Sequence, residues 1–307
     1  MIKTSLSATA SAKSTLVGPA IVLLAATGFS AKAILVKLAY VYEVNAVTLL
    51  ALRMVLSLPF FLAMAWWAAK RERSSPLTRH EWLLVCAMGL AGYYLASLLD
   101  FLGLQYISAS LERLILFLYP TVVVLISAAF FNRRITRRDV FALSLSYAGI
   151  VLVFWHDLKV SNQDDGVMLG SLLVLGSAIS YAVYMVGSGA LVNKLGSIRY
   201  TAYASIVSCT AVMLQFVGTH ALNELIQPAP VYGYALGMAV FSTVLPVWLM
   251  SEGIRRIGSS KASMIGTIGP ILTIAMGYAF LNEPITLPQI AGALLVLAGV
   301  AVISLRK

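Results

Sequence analysis

The sequence predicts an all-α membrane protein of ten transmembrane helices, folded as two inverted five-helix repeats around a central cavity. Three observations carry this prediction. The chain is 60% hydrophobic and only 11% charged, with a mean hydropathy of +0.89, a composition outside the range of soluble domains. Its lysines and arginines fall almost wholly in alternate loops. The chain also repeats itself at an offset of 150 residues with the loop charge reversed.

About 20 apolar residues cross ~30 Å of hydrocarbon at a rise of about 1.5 Å each. Runs of that kind lie near 17–39, 46–69, 82–103, 108–131, 138–155, 168–190, 198–218, 231–251, 260–281 and 287–305. The period-two alternation of a barrel strand is absent from them. The first run follows Lys3 and Lys13, exceeds the apolar core of a signal peptide and lacks a small-residue cleavage site, so it reads as a mature span. The runs divide the chain into an N-terminal segment 1–16, a first repeat 17–155, an outer linker 156–167 and a second repeat 168–307.

Topology follows from the loops. With the N-terminus inside, the inner segments hold seventeen basic residues, from Lys3 and Lys13 through Arg133, Arg134, Arg137 and Arg138 to Arg306 and Lys307, while the outer loops hold only Lys159. Short loops rich in Lys and Arg stay cytoplasmic. The expected placement is therefore a multi-pass protein of the inner, plasma membrane with both termini in the cytoplasm. The stretch NRRITRRD, which in a soluble protein would suggest a nucleic-acid patch, becomes an orienting inner loop. The outer loops carry acids instead: Glu43, Asp157, Asp164, Asp165, Glu224 and Glu283.

Laid over itself at the 150-residue offset, the span 101–154 matches 251–304 without a gap, with thirteen of 54 positions identical. Pro120 falls on Pro270, Asn132 on Asn282, Thr136 on Thr286 and Gly149 on Gly299. NRRITRRD falls on NEPITLPQ, so an arginine-rich inner loop matches an outer loop that carries a glutamate. Duplication of a five-span unit, with the second copy inserted upside down, produces this pattern. Inverted repeats are a transporter's architecture, because two equivalent halves can open alternately to either side of one site.

The second half, SMIGTIGPILTIAMGYAFLNEPITLPQIAGALLVLAGVAVI, resembles the EamA unit of the drug/metabolite transporter superfamily, with its central proline, Glu-Pro loop and Gly-rich last helix. FSAKAILVK and LLALRMVLSLP extend the resemblance to the first half. Arg133 departs from the pattern where the first unit often has the loop glutamate, and Lys32 stands at a position that is commonly Asn. The resemblance implies a secondary transporter without a prosthetic group, often an exporter, similar among others to amino-acid exporters of the YddG type.

Charge inside a span costs at least about 2.5–3.5 kcal/mol on insertion scales, so each such residue is a functional candidate. Lys32, Lys37, Arg53, Asp100, Glu112, Arg113 and Glu252 qualify. All but Glu252 lie in the outer third, with Lys32 and Arg53 about 10 Å below the outer ends of their helices. Two readings stand. In one, Lys32 binds a solute carboxylate directly, and Arg53, Asp100, Glu112 and Arg113 are vestibule charges. In the other, these groups form structural ion pairs or snorkel to the interface.

Pro120 and Pro270 each free the carbonyl four residues earlier, which marks the fourth and ninth helices as kinked gating elements facing the interior. Ser263 and Thr267 lie one turn apart before Pro270. Tyr93, Tyr94, Ser97, Phe117 and Trp248 supply rings and a hydroxyl that a cavity would accommodate. A cation with such rings suits a large apolar or aromatic amino acid. A multidrug or nucleotide-sugar carrier is the alternative. No metal or cofactor is expected: Cys86 and Cys209 lie in separate apolar runs, and His80, His156 and His220 all fall at the ends of runs. Without a histidine in any helix interior, an intramembrane enzyme lacks its groups. The expected partners are a small-molecule substrate and the lipid bilayer, with no nucleic acid, and the functional unit is expected to be a monomer.

Overall fold

Hydrocarbon offers no hydrogen-bond partner to a backbone N–H or C=O, so each crossing segment must satisfy its own, as an α-helix does. The computed structural model describes residues 3–71, 77–130, 135–160 and 164–304, and every regular element among them is helical. Eight helical segments are long and apolar enough to cross a membrane, and two shorter apolar helices, Gly269–Leu281 and Leu287–Val302, complete the ten. The segments are α1 (Lys3–Tyr40), α2 (Ala46–Arg71), α3 (Arg79–Gly103), α4 (Ala109–Phe130), α5 (Arg137–Val160), α6 (Asp164–Gly187), α7 (Ser197–Thr219), α8 (Ala229–Ile257), α9 (Ser259–Gly266 continued by Gly269–Leu281) and α10 (Leu287–Ser304).

Two helices outrun their apolar stretches. The first begins at Lys3, taking in the polar segment ahead of Val17, and α8 reaches Ile257, where Glu252 pairs with Arg255 and Arg256 one turn on, each at 2.6 Å. Helical structure also covers most of the expected outer linker, since α5 ends at Val160 and α6 starts at Asp164. Of the basic residues that set the topology, Arg73, Arg133, Arg134, Arg306 and Lys307 lie outside the described residues.

The duplication is written in the helix breaks. At the 150-residue offset, Arg79 at the start of α3 falls on Ala229 at the start of α8, and the π-turn of α3 at Leu90 falls on that of α8 at Val240. Helix α4 breaks between Leu116 and Tyr119, and α9 between Gly266 and Gly269 at the same offset. Each break lies just ahead of the matched proline, which cannot donate to the turn before it. Five crossings are an odd number, so the second unit enters the bundle from the opposite side.

Packing obeys the same two-fold relation. Helix α1 packs on α8 and α9, and α6 correspondingly on α3 and α4, while α2 pairs with α7, α4 with α9 and α5 with α10. The α5–α10 crossing is held close by glycines. A Cβ at Gly149 would press on the Gly292 carbonyl, and one at Gly299 on the Ala142 carbonyl and the Ser146 hydroxyl. Small residues allow this approach in lipid, where helices attract chiefly by packing and not by burial from water.

Serines of neighbouring helices donate to carbonyls around the breaks. Ser180 and Ser177 of α6 donate to the Ala91 and Ala96 carbonyls of the α3 π-turn region at 2.8 and 2.7 Å, and Ser30 of α1 donates to Gly269 at the α9 break at 3.1 Å. Substituting Gly149→Leu should overpack the α5–α10 crossing by about 1–3 kcal/mol and lower the melting temperature of the purified protein in detergent. Gly233→Leu, on α8 with open space around it, should leave that temperature nearly unchanged.

Candidate functional site

Helices α1, α3 and α4 bring three charges from distant parts of the sequence together. The Lys32 ammonium lies 2.5 Å from Asp100 Oδ2 and 3.2 Å from Glu112 Oε1. Asp100 is 2% exposed and Glu112 is fully buried. Beside them Tyr40 donates to the Phe101 carbonyl at 2.6 Å, and the buried Arg53 guanidinium sits over the Phe101 ring at 5.2 Å. On α4, Arg113 stands over the Phe117 ring, also at 5.2 Å, and packs against Gly269 so closely that a Cβ there would touch its guanidinium.

The cluster holds three cations and two carboxylates and is incompletely paired. Among the described residues, Arg53 Nε, Arg113 Nε, Asp100 Oδ1 and Glu112 Oε2 are buried without a hydrogen-bond partner. A buried, unpartnered polar atom is uncommon and calls for an explanation such as a functional role.

From Arg113 a group of tyrosines leads away. The Tyr119 ring meets Tyr181 edge-on at 5.2 Å, Tyr181 stacks on Tyr184 at 5.6 Å, and Tyr184 stacks on Tyr200 at 6.0 Å. Tyr93 meets Tyr184 edge-on at 5.0 Å, with the two hydroxyls 3.1 Å apart. These side chains come from α3, α4, α6 and α7, with both repeats contributing.

The two ends of the bundle differ. At the end bearing Arg79, Arg137, Arg138, Arg255 and Arg256, a cavity of about 840 Å³ opens between α1, α2, α7 and α8, with Ile21, Trp67, Trp248 and Glu252 in its wall. The offset carries Trp248 and Ser251 onto Leu98 and Phe101, which sit in a packed core shared by the two repeats. The acidic end has a smaller cavity, about 230 Å³ beside Ser108, Asp157 and Glu283, and a clasp across the repeats. Glu283 accepts from the Ala109 N–H at 2.9 Å and from the Ser110 hydroxyl at 3.0 Å, which joins the α9–α10 loop to the N-terminus of α4. A carboxylate suits a helix N-terminus, where backbone N–H groups lack partners and the dipole is positive. Asn282, in the left-handed region at φ 55°, turns the chain so that Glu283 can reach back. Ser108 donates to Asp157 at 2.9 Å on the other side of the same helix start.

The counterpart of Glu283 is Arg133, outside the described residues, whose charge would oppose a helix N-terminus. The basic end has its own link between repeats, Lys194 to Glu81 at 2.7 Å. The matching positions at the acidic end are Val44 and Val231, both buried in one apolar cluster.

Of the residues singled out from the sequence, Lys32, Asp100 and Glu112 meet directly, and Arg53, Arg113 and Phe117 flank them. Tyr93 joins the tyrosine group, whereas Tyr94 packs on the core around α2. Ser97 is half-buried on α3, Thr267 half-buried at the α9 break, and Trp248 lines the basic-end cavity. The Ser263 side chain lies outside the described residues. Pro120 and Pro270 follow the helix breaks at matched places, Pro120 half-buried and Pro270 buried. Glu283, Ser30, Tyr181 and Tyr184 were not among those residues. The exchange of Glu283 for Arg133 between the repeats was the available signal for the first.

Comparison with known proteins agrees with this architecture. The EamA-like transporter family matches residues 16–155 and again residues 168–305, one unit for each repeat. The uncharacterized transporter YcbK of Bacillus subtilis is 32% identical over 287 residues, covering 90% of this chain and 88% of that protein. An uncharacterized transporter of Archaeoglobus fulgidus is 25% identical over 223 residues, 73% of this chain and 78% of its own length. A solved crystal structure overlays with a TM-score of 0.64 across 93% of this chain and 95% of the other, at 16% identity, a likeness of fold alone. With both repeats matched and a relative above 30% identity spanning nearly the whole length, the chain belongs to the EamA-like transporter family.

Proposed function

We propose that the protein is a secondary transporter that moves small metabolites, foremost amino acids with large apolar or aromatic side chains, across the inner membrane by alternating access. It works as an exporter and a monomer, with both termini in the cytoplasm, and needs no cofactor. One observation carries the reading: a duplicated, inverted skeleton encloses an unsatisfied charge cluster and is clasped across the repeats at one end while a larger cavity opens at the other.

The positive-inside bias places the basic end, and so the open cavity, in the cytoplasm. Alternating access then requires the Glu283 link to break when the outer side opens, with the basic-end cavity closing in turn. Positive charge in excess at the cluster favours an anionic group on the solute, and the surrounding rings favour an apolar body.

Reconstituted into proteoliposomes and offered radiolabelled amino acids, nucleotide sugars and cationic drugs with and without a pH gradient, the protein should show saturable flux of large apolar amino acids. Flux confined to nucleotide sugars or drugs would transfer the assignment to the alternative carriers. Lys32→Met should abolish flux and destabilise the protein by about 3–5 kcal/mol, because it leaves two carboxylates buried without their cation. Adding Asp100→Asn to that variant should recover part of the loss, read as melting temperature. Glu283→Ala should raise the labelling rate of a cysteine placed at Ile107, 3% exposed beside the clasp, by a membrane-impermeant maleimide from the outer side, and an unchanged rate would show that Glu283 does not hold that end shut.

A further inference from the structure

We infer that Arg113, and not Lys32, is the residue that grips the carboxylate of the transported solute. The inference rests on the transport reading above and adds to it the group that makes the contact. Three cations lie in the cluster, and their surroundings separate them. The ammonium of Lys32 is taken up by two protein carboxylates. The guanidinium of Arg53 is buried beside the core around α2 and covered by Phe101. Arg113 alone of the three combines an open flank with an unfilled valence.

The geometry explains why Glu112 does not fill it. Successive residues of a helix project about 100° apart, so Glu112 turns to Lys32 while its neighbour Arg113 turns to Phe117 and α9. Among the described residues Arg113 forms no ion pair, and its Nε is buried without an acceptor. The first half of α4 is surrounded by α1, α5, α6, α9 and α10, yet Arg113, Phe117 and Tyr119 all keep accessible surface. That accessible surface is the flank a ligand can reach. Gly269 and Gly266 border it from the α9 break: the first touches Arg113, and a Cβ on the second would meet nothing within 4 Å.

A planar guanidinium offers two parallel N–H donors that match a carboxylate, a fit that an ammonium cannot make. One carboxylate would also neutralise the single excess positive charge of the cluster. Phe117 under the guanidinium, with Tyr119 and Tyr181 beyond it, forms a wall for an apolar or aromatic body attached to that carboxylate. The solute class so defined is a monocarboxylate with a large apolar side chain. Lys32, clasped by Asp100 and Glu112, is a positioning residue that keeps Glu112 turned away from Arg113.

The test begins with the unaltered protein in proteoliposomes. Uptake of a large apolar amino acid is competed with its carboxamide and with its alcohol, and thermal stabilisation by each is measured in detergent. The carboxylate should bind more tightly than either analogue by about 30-fold or more, the smallest loss expected when one partner of a buried charge pair is removed. Arg113→Lys, which keeps the charge and loses the fork, should raise KM about tenfold or more with a smaller change in maximal rate. Arg113→Gln should erase the preference for carboxylate over carboxamide. If the unaltered protein takes up amino acids but treats carboxamide and carboxylate alike, or if Arg113→Lys keeps the original KM, the assignment to Arg113 is overturned while the transport reading survives. If no amino acid gives saturable uptake or stabilisation, the transport reading itself falls, and this assignment with it.

Discussion

Inside a bilayer every polar group must find its partner within the protein, and the organisation of this chain follows from that constraint. It makes every crossing segment a helix. It also determines where irregular backbone is tolerated. The π-turns of α3 and α8 and the breaks of α4 and α9 lie inside the bundle, where serines from α1 and α6 donate to the carbonyls around them. A lipid-facing break would have no such donor, so the interruptions mark the interior path.

The two repeats share a skeleton and differ in charge, and the difference gives the two ends separate chemistry. Glu283 can accept from the Ala109 N–H at the start of α4, and an arginine at the matched place cannot. Lys194 and Glu81 join the repeats at the basic end, where valines occupy the matched positions at the other. Near-equal backbones thus carry a carboxylate clasp on one side and an ammonium–carboxylate pair on the other. An inverted duplication with identical side chains would hold both ends equally; divergent charges hold them by different contacts.

Within the bundle the same constraint separates binding groups from supporting ones. A charge already paired by protein carboxylates adds little for a ligand, whereas one left short of an acceptor in a low-dielectric space gains strongly when a ligand supplies it. Lys32 belongs to the first kind and Arg113 to the second. The tyrosines from both repeats continue from the cluster toward the basic end, with Tyr184 and Tyr200 buried in an apolar core.

Much of this was legible in the residues alone. Hydropathy located the ten spans, because the thickness of the hydrocarbon sets a length that composition must match, and α8 was misjudged only where paired charges prolong the helix past its apolar run. The 150-residue register and the matched prolines anticipated the helix breaks, since proline acts on its own turn whatever surrounds it. The charged positions in the spans could be named because each is costly in lipid wherever it points. Which charge meets which was a different matter. Lys32 stands 68 residues from Asp100 and about half a repeat from both acids, and only the packing of α1 against α3 and α4 decided that Lys32 would be enclosed by acids and Arg113 left open. Tertiary structure alone also revealed the Glu283 clasp, because a hydrogen bond between a loop and a helix 173 residues away depends on inter-repeat distances that no local pattern encodes.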